Sequence, residues 1–193
     1  MPVALRTRRF TADEYQRMGQ VGILSEDDRV ELIDGEILAM SPIGTRHSST
    51  VDRATTVFVA RAGERAIVRI QGAARLNLYT EPQPDVLLLR PRDDFYSSAH
   101  PGPSDILLVV EVADSSLAYD RDVKLRVYAR SGVPEYWLID LNDSVLSRYT
   151  SPQGESYRHV EHLDSRARIS PALLPDCEIG IAELIGREGP VGL

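Results

Sequence analysis

Hydrophobic and polar positions alternate along this chain with periods that change every ten to twenty residues. Thr11 followed three residues later by Glu14 is a capping box, which predicts a short helix over about Ala12 to Met18. VELIDGEILAM reads as two apolar runs joined at Asp34-Gly35, the signature of a β-hairpin. Val51, Ala54, Thr55, Phe58, Val59 and Ala62 recur at near-helical spacing, so a longer helix is expected over about 46–62. Short strands are expected near 65–70 and 73–79. Two compact apolar runs follow, Asp85 to Leu89 and Ile106 to Val112. The stretch between them, 91–105, is rich in Pro, Asp, Ser and Gly and reads as a surface loop. The second run is almost continuously apolar, as in a strand covered on both faces. Asp120 to Arg130 has helical spacing, with Val123, Val127 and Arg130 on one side; Gly132 stops it and Pro134 follows. Glu135 to Asp140 is the next strand, which makes a strand–helix–strand crossover. Segments 144–150 and 156–161 suggest a meander, and Ile179 to Ile185 a short closing helix. The sum is a mixed α/β fold, a central sheet flanked by helices with extra hairpin and meander strands. At 193 residues, with no repeat or long linker, a single domain over 1–193 is the expectation.

One position interrupts the buried pattern. Glu111 stands inside LLVVEV, and a carboxylate on a covered strand is costly unless it is paired or bound to a cation. Alternation sets Leu107, Val109, Glu111 and Ala113 on one face. Asp85 opens its own apolar run after Pro84, so neighbouring strands would bring Asp85 and Glu111 together. Two carboxylates ~4 Å apart repel by about 4 kcal/mol at intermediate dielectric. Either a proton is taken up or a divalent cation sits between them. Carboxylates, a backbone carbonyl and water suit Mg²⁺ or Mn²⁺, and nothing has the Cys/His spacing of a zinc site. Glu31, among Val30, Leu32 and Ile33, is a third candidate acid. The plainer readings stay open: an outward-facing Glu31, Asp85 as a turn or cap residue, and Glu111 in a structural pair with an arginine. His47 suits a cap or a surface position, and Trp137 the core.

Composition adds one sharp feature. Of 22 basic residues only Lys124 is a lysine. An ammonium is a compact point donor that loses its proton when desolvated, whereas a guanidinium is a planar fork that stays charged. Lys124 lies 13 residues after Glu111. Two acids and a lysine so placed suggest a metal-dependent phosphodiester-cleaving site. The alternative is a compositional accident on a solvated helix face. A lysine acting on the transition state would contribute little to stability.

The formal net charge of −7 argues against coating nucleic acid by bulk electrostatics, though not against local phosphate contact. Arg6, Arg8 and Arg9 form one basic patch, and Arg121, Lys124, Arg126 and Arg130 another. No apolar stretch approaches the roughly 20 residues of a membrane span. The start lacks a signal-peptide core, and Cys177 is the lone cysteine, so a cytoplasmic location is expected.

These residues resemble a known group. Pro84-Asp85, Glu111-Val112 and Lys124 are similar to the pattern of the PD-(D/E)XK nuclease superfamily. RVELIDGEI, PQPDVLLL and ILLVVEVADSSLAYDRDVKLRVYARSGVPEYWLID resemble the Uma-type family of restriction-endonuclease-like proteins over roughly residues 8–185. The resemblance implies a restriction-endonuclease-like core, with Asp85, Glu111 and the Val112 carbonyl as metal ligands. The superfamily's lysine usually lies two residues after the acid, where this chain has Ala113; in the Uma-type branch it moves to the following helix, which matches Lys124. Glu31 falls on the acid of the family's ELIDGE segment, and His47 where such proteins often carry a histidine. The implied function is a Mg²⁺- or Mn²⁺-dependent endonuclease on DNA, with Asp85, Glu111, Glu31 and Lys124 catalytic. A homodimer is expected, because cutting both strands needs two sites. The rivals are a non-catalytic nucleic-acid-binding or accessory module and a phosphodiesterase on small nucleotides.

Overall fold

A computed structural model describes residues 7–25 and 27–186. The elements run in order α1 (Ala12–Gln20), β1 (Val30–Ile33), β2 (Glu36–Ala39), α2 (Thr45–Ala62), β3 (Ile67–Ile70), β4 (Val86–Leu89) and β5 (Ile106–Ala113). A helical run follows, made of α3 (Leu117–Tyr119), a π-helical turn (Asp120–Lys124) and α4 (Leu125–Arg130). The chain then forms β6 (Glu135–Asp140), β7 (Val145–Gln153), β8 (Ser156–Leu163), β9 (Arg168–Ile169), β10 (Ile179–Gly180) and α5 (Ile181–Ile185).

Six strands make one mixed sheet in the order β3-β4-β5-β6-β7-β8. All neighbours are antiparallel except β5 and β6, which the helical run connects in parallel. All eight residues of β5 are buried, which is why its sequence is almost continuously apolar. Ala54 and Phe58 of α2 and Leu184 of α5 pack on one face with Val110, Val112 and Trp137. Val127 and Tyr128 of α4 pack on the other with Val109, Ala113 and Tyr136. On that second face Tyr128, Tyr136, Tyr149 and Tyr157 follow one another at centroid spacings of 5.2, 5.5 and 6.1 Å.

The β1–β2 hairpin and α1 form a smaller unit around Leu32, Ala12 and Tyr15. The Thr11/Glu14 capping box is present. At the hairpin tip Asp34 and Gly35 have φ of 53° and 81°, the doubly left-handed turn expected of an Asp-Gly pair. A side chain at Gly35 would also meet Arg9 Cβ at 2.5 Å. Tyr15 donates from its hydroxyl to the Val30 carbonyl, so the helix holds the strand that carries Glu31.

Four details differ from the expectation. Residues 73–79 form no strand: Ala74 N–H bonds the Pro82 carbonyl and Leu76 N–H the Thr80 carbonyl, so the chain doubles back on itself instead of joining the sheet. Leu107 lies on the α2 face, opposite Val109, because the β4–β5 register shifts at Leu88/Leu89. The helical run starts at Leu117, and its π turn rotates Val123 outward to 37% exposure. A small β9–β10 pair precedes the closing helix. Arg6 of the N-terminal basic patch lies outside the described residues. Among the described residues no helix is long and apolar enough to cross a membrane.

Candidate active site

The site forms where β4 begins and β5 ends. Antiparallel pairing of these strands sets Asp85 beside Glu111: the Asp85 N–H donates to Glu111 Oε2 at 3.3 Å, and the Val112 N–H to Asp85 Oδ2 at 2.9 Å. Along β5 the Ala113 carbonyl turns towards β6, where Leu141 N–H bonds it. Alternation therefore turns the Val112 N–H and carbonyl to the Asp85 side.

Lys124 is not on a solvated face. It is 4% exposed and its ammonium sits among acids, 2.9 Å from Glu111 Oε1, 3.4 Å from Glu31 Oε2 and 3.9 Å from Asp120 Oδ1. The π turn that ends at Lys124 spans Asp120, so one local widening of the helix directs both side chains inward. Glu31 is fully buried, which removes the outward-facing reading; it accepts from the Tyr119 hydroxyl at 3.0 Å and the Gln83 N–H at 3.1 Å. Glu111 is paired with the lysine rather than with an arginine, and the Tyr128 hydroxyl donates to its Oε1 at 2.6 Å. From the other face of the sheet, His47 in the first turn of α2 places Nε2 at 3.0 Å from Asp85 Oδ2. The structure thus brings Glu31, Asp85, Glu111, Val112 and Lys124 together, with His47 beside them.

Burial pushes the Glu111 carboxyl well above its ordinary range; Lys124 opposes this, and Asp85, Asp120 and Glu31 add to it. Burial also works against the Lys124 ammonium, but Glu111, Glu31 and Asp120 outweigh it and hold its proton well above the usual lysine range. Lys124 is therefore a fixed cation, and the proton-losing amine that desolvation alone would produce is not what the fold builds. Burial raises Asp85 as well, yet the hydrogen bond and charge of His47, the Val112 amide and Lys124 together leave it below its ordinary value. The same hydrogen bond raises His47.

Three participants escaped the sequence reading: Tyr119, Asp120 and Tyr128. Asp120 is 3% exposed and pushed up to about 6 by burial, although Lys124 and the Ser116 hydroxyl pull it down. Its spacing of four residues from Lys124 was the available signal. A carboxyl raised in the fold binds its proton more tightly folded than unfolded. Below the ordinary value of 3.8 both states are protonated and no cost arises; above about 6 the fold carries the full cost of the charge. Asp120→Asn is therefore expected to stabilise the protein at pH 7.5 by about 2 kcal/mol, an advantage that shrinks as pH falls towards 4. Thermal melts of both proteins across that range check it; a variant that melts lower than wild type at pH 7.5 contradicts it.

Among the described residues no group of three or more His, Cys, Asp or Glu has the arrangement to hold a metal ion. The donor set nevertheless fits Mg²⁺ or Mn²⁺. Such ions are commonly held by one or two carboxylates and keep several waters. Asp85 Oδ1 makes no hydrogen bond among the described residues, and the Val112 carbonyl faces the same side. Lys124 and Tyr128 both engage Glu111 Oε1, so Oε2, which among the described residues accepts only the Asp85 N–H, is the oxygen left for an ion.

All of these groups except Tyr128, which lies behind Glu111, line one cleft of about 1440 Å³, walled by the segment after α1, the end of β2, the start of α2 and the 114–119 turn. A crystal structure from Anabaena variabilis, of a putative nuclease belonging to DUF820, is similar to the chain in fold. It has a TM-score of 0.72 and 18% identity, with 91% of this chain and 97% of that one covered. No curated protein matches. The model of the Uma2 family, described as "Putative restriction endonuclease", matches residues 12–182. With nearly the whole chain matched, and with an acid pair and a buried lysine at the end of a six-stranded mixed sheet, this protein belongs to the Uma2 family.

Proposed function

We propose that this protein is a Mg²⁺- or Mn²⁺-dependent nuclease that hydrolyses phosphodiester bonds in DNA. The observation that carries the reading is the convergence of Asp85, Glu111 and a buried, protonated Lys124 at the head of an open cleft. Asp85, Glu111 and the Val112 carbonyl would hold the ion. Bound there, it supplies Lewis acidity to the scissile phosphate and lowers the pKa of an attacking water.

The remaining work falls to the chain's own side chains. Lys124 donates to a non-bridging phosphate oxygen and balances the charge that grows on it. Tyr128 and Glu31 hold the lysine and Glu111 in register, Tyr128 through Glu111 and Glu31 through its own contact with the ammonium. His47 and the Val112 N–H both hold Asp85 by Oδ2, leaving Oδ1 without a hydrogen-bond partner among the described residues. In the reaction the water oxygen bonds to phosphorus as the ester P–O bond breaks; one proton leaves the water and one arrives on the departing sugar oxygen.

The test is cleavage of circular DNA, both supercoiled duplex and single-stranded, with Mg²⁺ or Mn²⁺ and with chelator. Cleavage that needs the ion and is lost in Asp85→Ala is expected; ion-independent cleavage, or equal rates in Asp85→Ala, contradicts the reading. A second expectation concerns binding alone. A ligand held only by the folded state raises the melting temperature with concentration. Millimolar Mn²⁺ should therefore raise the melting temperature of wild type and leave that of Asp85→Ala unmoved. No response in wild type would mean that the ion site is wrongly placed.

A further inference from the structure

The charge and shape of the cleft bear on which nucleic acid it accepts, an inference that rests on the nuclease reading. Among the described residues the cleft is lined by only two side chains of fixed positive charge, Arg29 and Lys124. Six carboxyls share it: Asp28, Glu31, Asp85, Glu111, Asp114 and Asp120. Arg29 is already committed to the Ser41 carbonyl at 2.7 Å, and Lys124 to the acids around it. Arg46, beside the cleft, is tied to Asp114 and to the Leu141 carbonyl.

A duplex brings about one negative charge per 1.7 Å of its axis, and its affinity comes from rows of Lys and Arg that displace counterions. This cleft offers no such row. The reacting groups are also deep: Glu31, Glu111 and Lys124 are 0, 2 and 4% exposed. A scissile phosphate must enter the cleft to meet them, which a phosphate on the outside of a continuous duplex does poorly. What the cleft does offer is an apolar wall. Leu24, Leu38, Met40 and Ile43 line it, all partly exposed, with the Tyr119 ring near Lys124. Such a wall suits unpaired bases and sugars, which in a duplex are stacked and turned inward.

We propose that the cleft takes a short stretch of single-stranded DNA, one phosphodiester with its flanking nucleosides, in preference to continuous duplex. Cutting two strands by two-fold symmetry, the reason to expect a homodimer, is not required of such a substrate.

The experiment compares wild-type protein with Mn²⁺ on one labelled oligonucleotide, offered single-stranded and then annealed to its complement, over a range of salt. Single-strand kcat/KM is expected to exceed the duplex value at least about tenfold. The log–log salt dependence of single-strand binding should be shallow, between about −0.7 and −1.4, as for one or two phosphates neutralised. Binding for the slope is read by fluorescence anisotropy with Ca²⁺ in place of Mn²⁺. Duplex cut as fast as single strand, or a slope steeper than about −4, overturns the proposal while leaving the nuclease reading intact. Cleavage of neither form overturns both.

Discussion

Lys124→Arg is expected to cut DNA about a hundredfold more slowly than wild type, although the charge is kept. That corresponds to roughly 3 kcal/mol of lost transition-state stabilisation, the scale of a displaced charge-stabilising donor. The reason is space and direction. The ammonium fits between Glu111 at 2.9 Å and Glu31 at 3.4 Å in a position only 4% exposed, and a planar guanidinium cannot occupy that point. Loss of a proton is not the distinction, because the surrounding carboxylates keep Lys124 charged. Stability is involved as well. A lysine acting on the transition state alone would be silent in a melt, but this one is, among the described residues, the single cation set against three buried acids. Lys124→Ala leaves Glu31, Glu111 and Asp120 without it, and is expected to destabilise by about 3–5 kcal/mol. A melting temperature for Lys124→Ala within a degree or two of wild type would contradict the buried arrangement. An arginine variant that cuts at the wild-type rate would make the lone lysine a compositional accident.

Glu111→Gln has the larger expected effect on activity, a fall of about a thousandfold or more, equivalent to roughly 4 kcal/mol. Glutamine keeps one acceptor for Lys124 and Tyr128, but it presents an amide where a cation needs a carboxylate, and its NH₂ group faces the Asp85 N–H donor. Stability should suffer far less than activity. Burial already works against the Glu111 charge, and Glu31 and Asp120 stay beside Lys124 to hold its ammonium when that charge is removed. The combination to look for is a melting temperature near that of wild type, no upward shift with Mn²⁺, and no cleavage. An inactive variant that still responds fully to Mn²⁺ would move the ion away from Glu111.

Much of this site was legible because strand burial leaves a polar residue nowhere to hide. Asp85 opens one apolar run, Glu111 breaks the next, and strand pairing does the rest. Lys124 was legible through composition, in a chain that otherwise writes arginine. The crossover and the β1–β2 hairpin followed from turn chemistry and period. The π turn was not legible. Helical spacing counted at 3.6 residues per turn placed Val123 with Val127 and Arg130, while the widened turn exposes Val123 and buries Asp120 and Lys124. Alternation likewise could not foresee the β4–β5 register shift that turns Leu107 to the α2 face. For Glu31 an outward position on a half-exposed hairpin stayed open beside its place in the site, because sequence does not show that Tyr119 and Lys124 cover it. Tyr128 carried no signal of its own in the sequence, and only the structure shows its hydroxyl on Glu111. Residues 73–79 had strand composition, but their backbone groups pair locally with Thr80 and Pro82 instead of with a sheet strand.

The central claim is that Asp85, Glu111 and Lys124 act as one phosphodiester-cleaving centre. The most direct measurement is a single-turnover time course on labelled single-stranded DNA with Mn²⁺, using wild type, Glu111→Gln and Lys124→Arg purified in parallel and shown folded by their melts. The predicted result is cleavage by wild type, none detectable by Glu111→Gln, and a rate about a hundredfold lower for Lys124→Arg. Equal rates in all three proteins would contradict it, because the activity would then arise from some other part of the chain or from a contaminant.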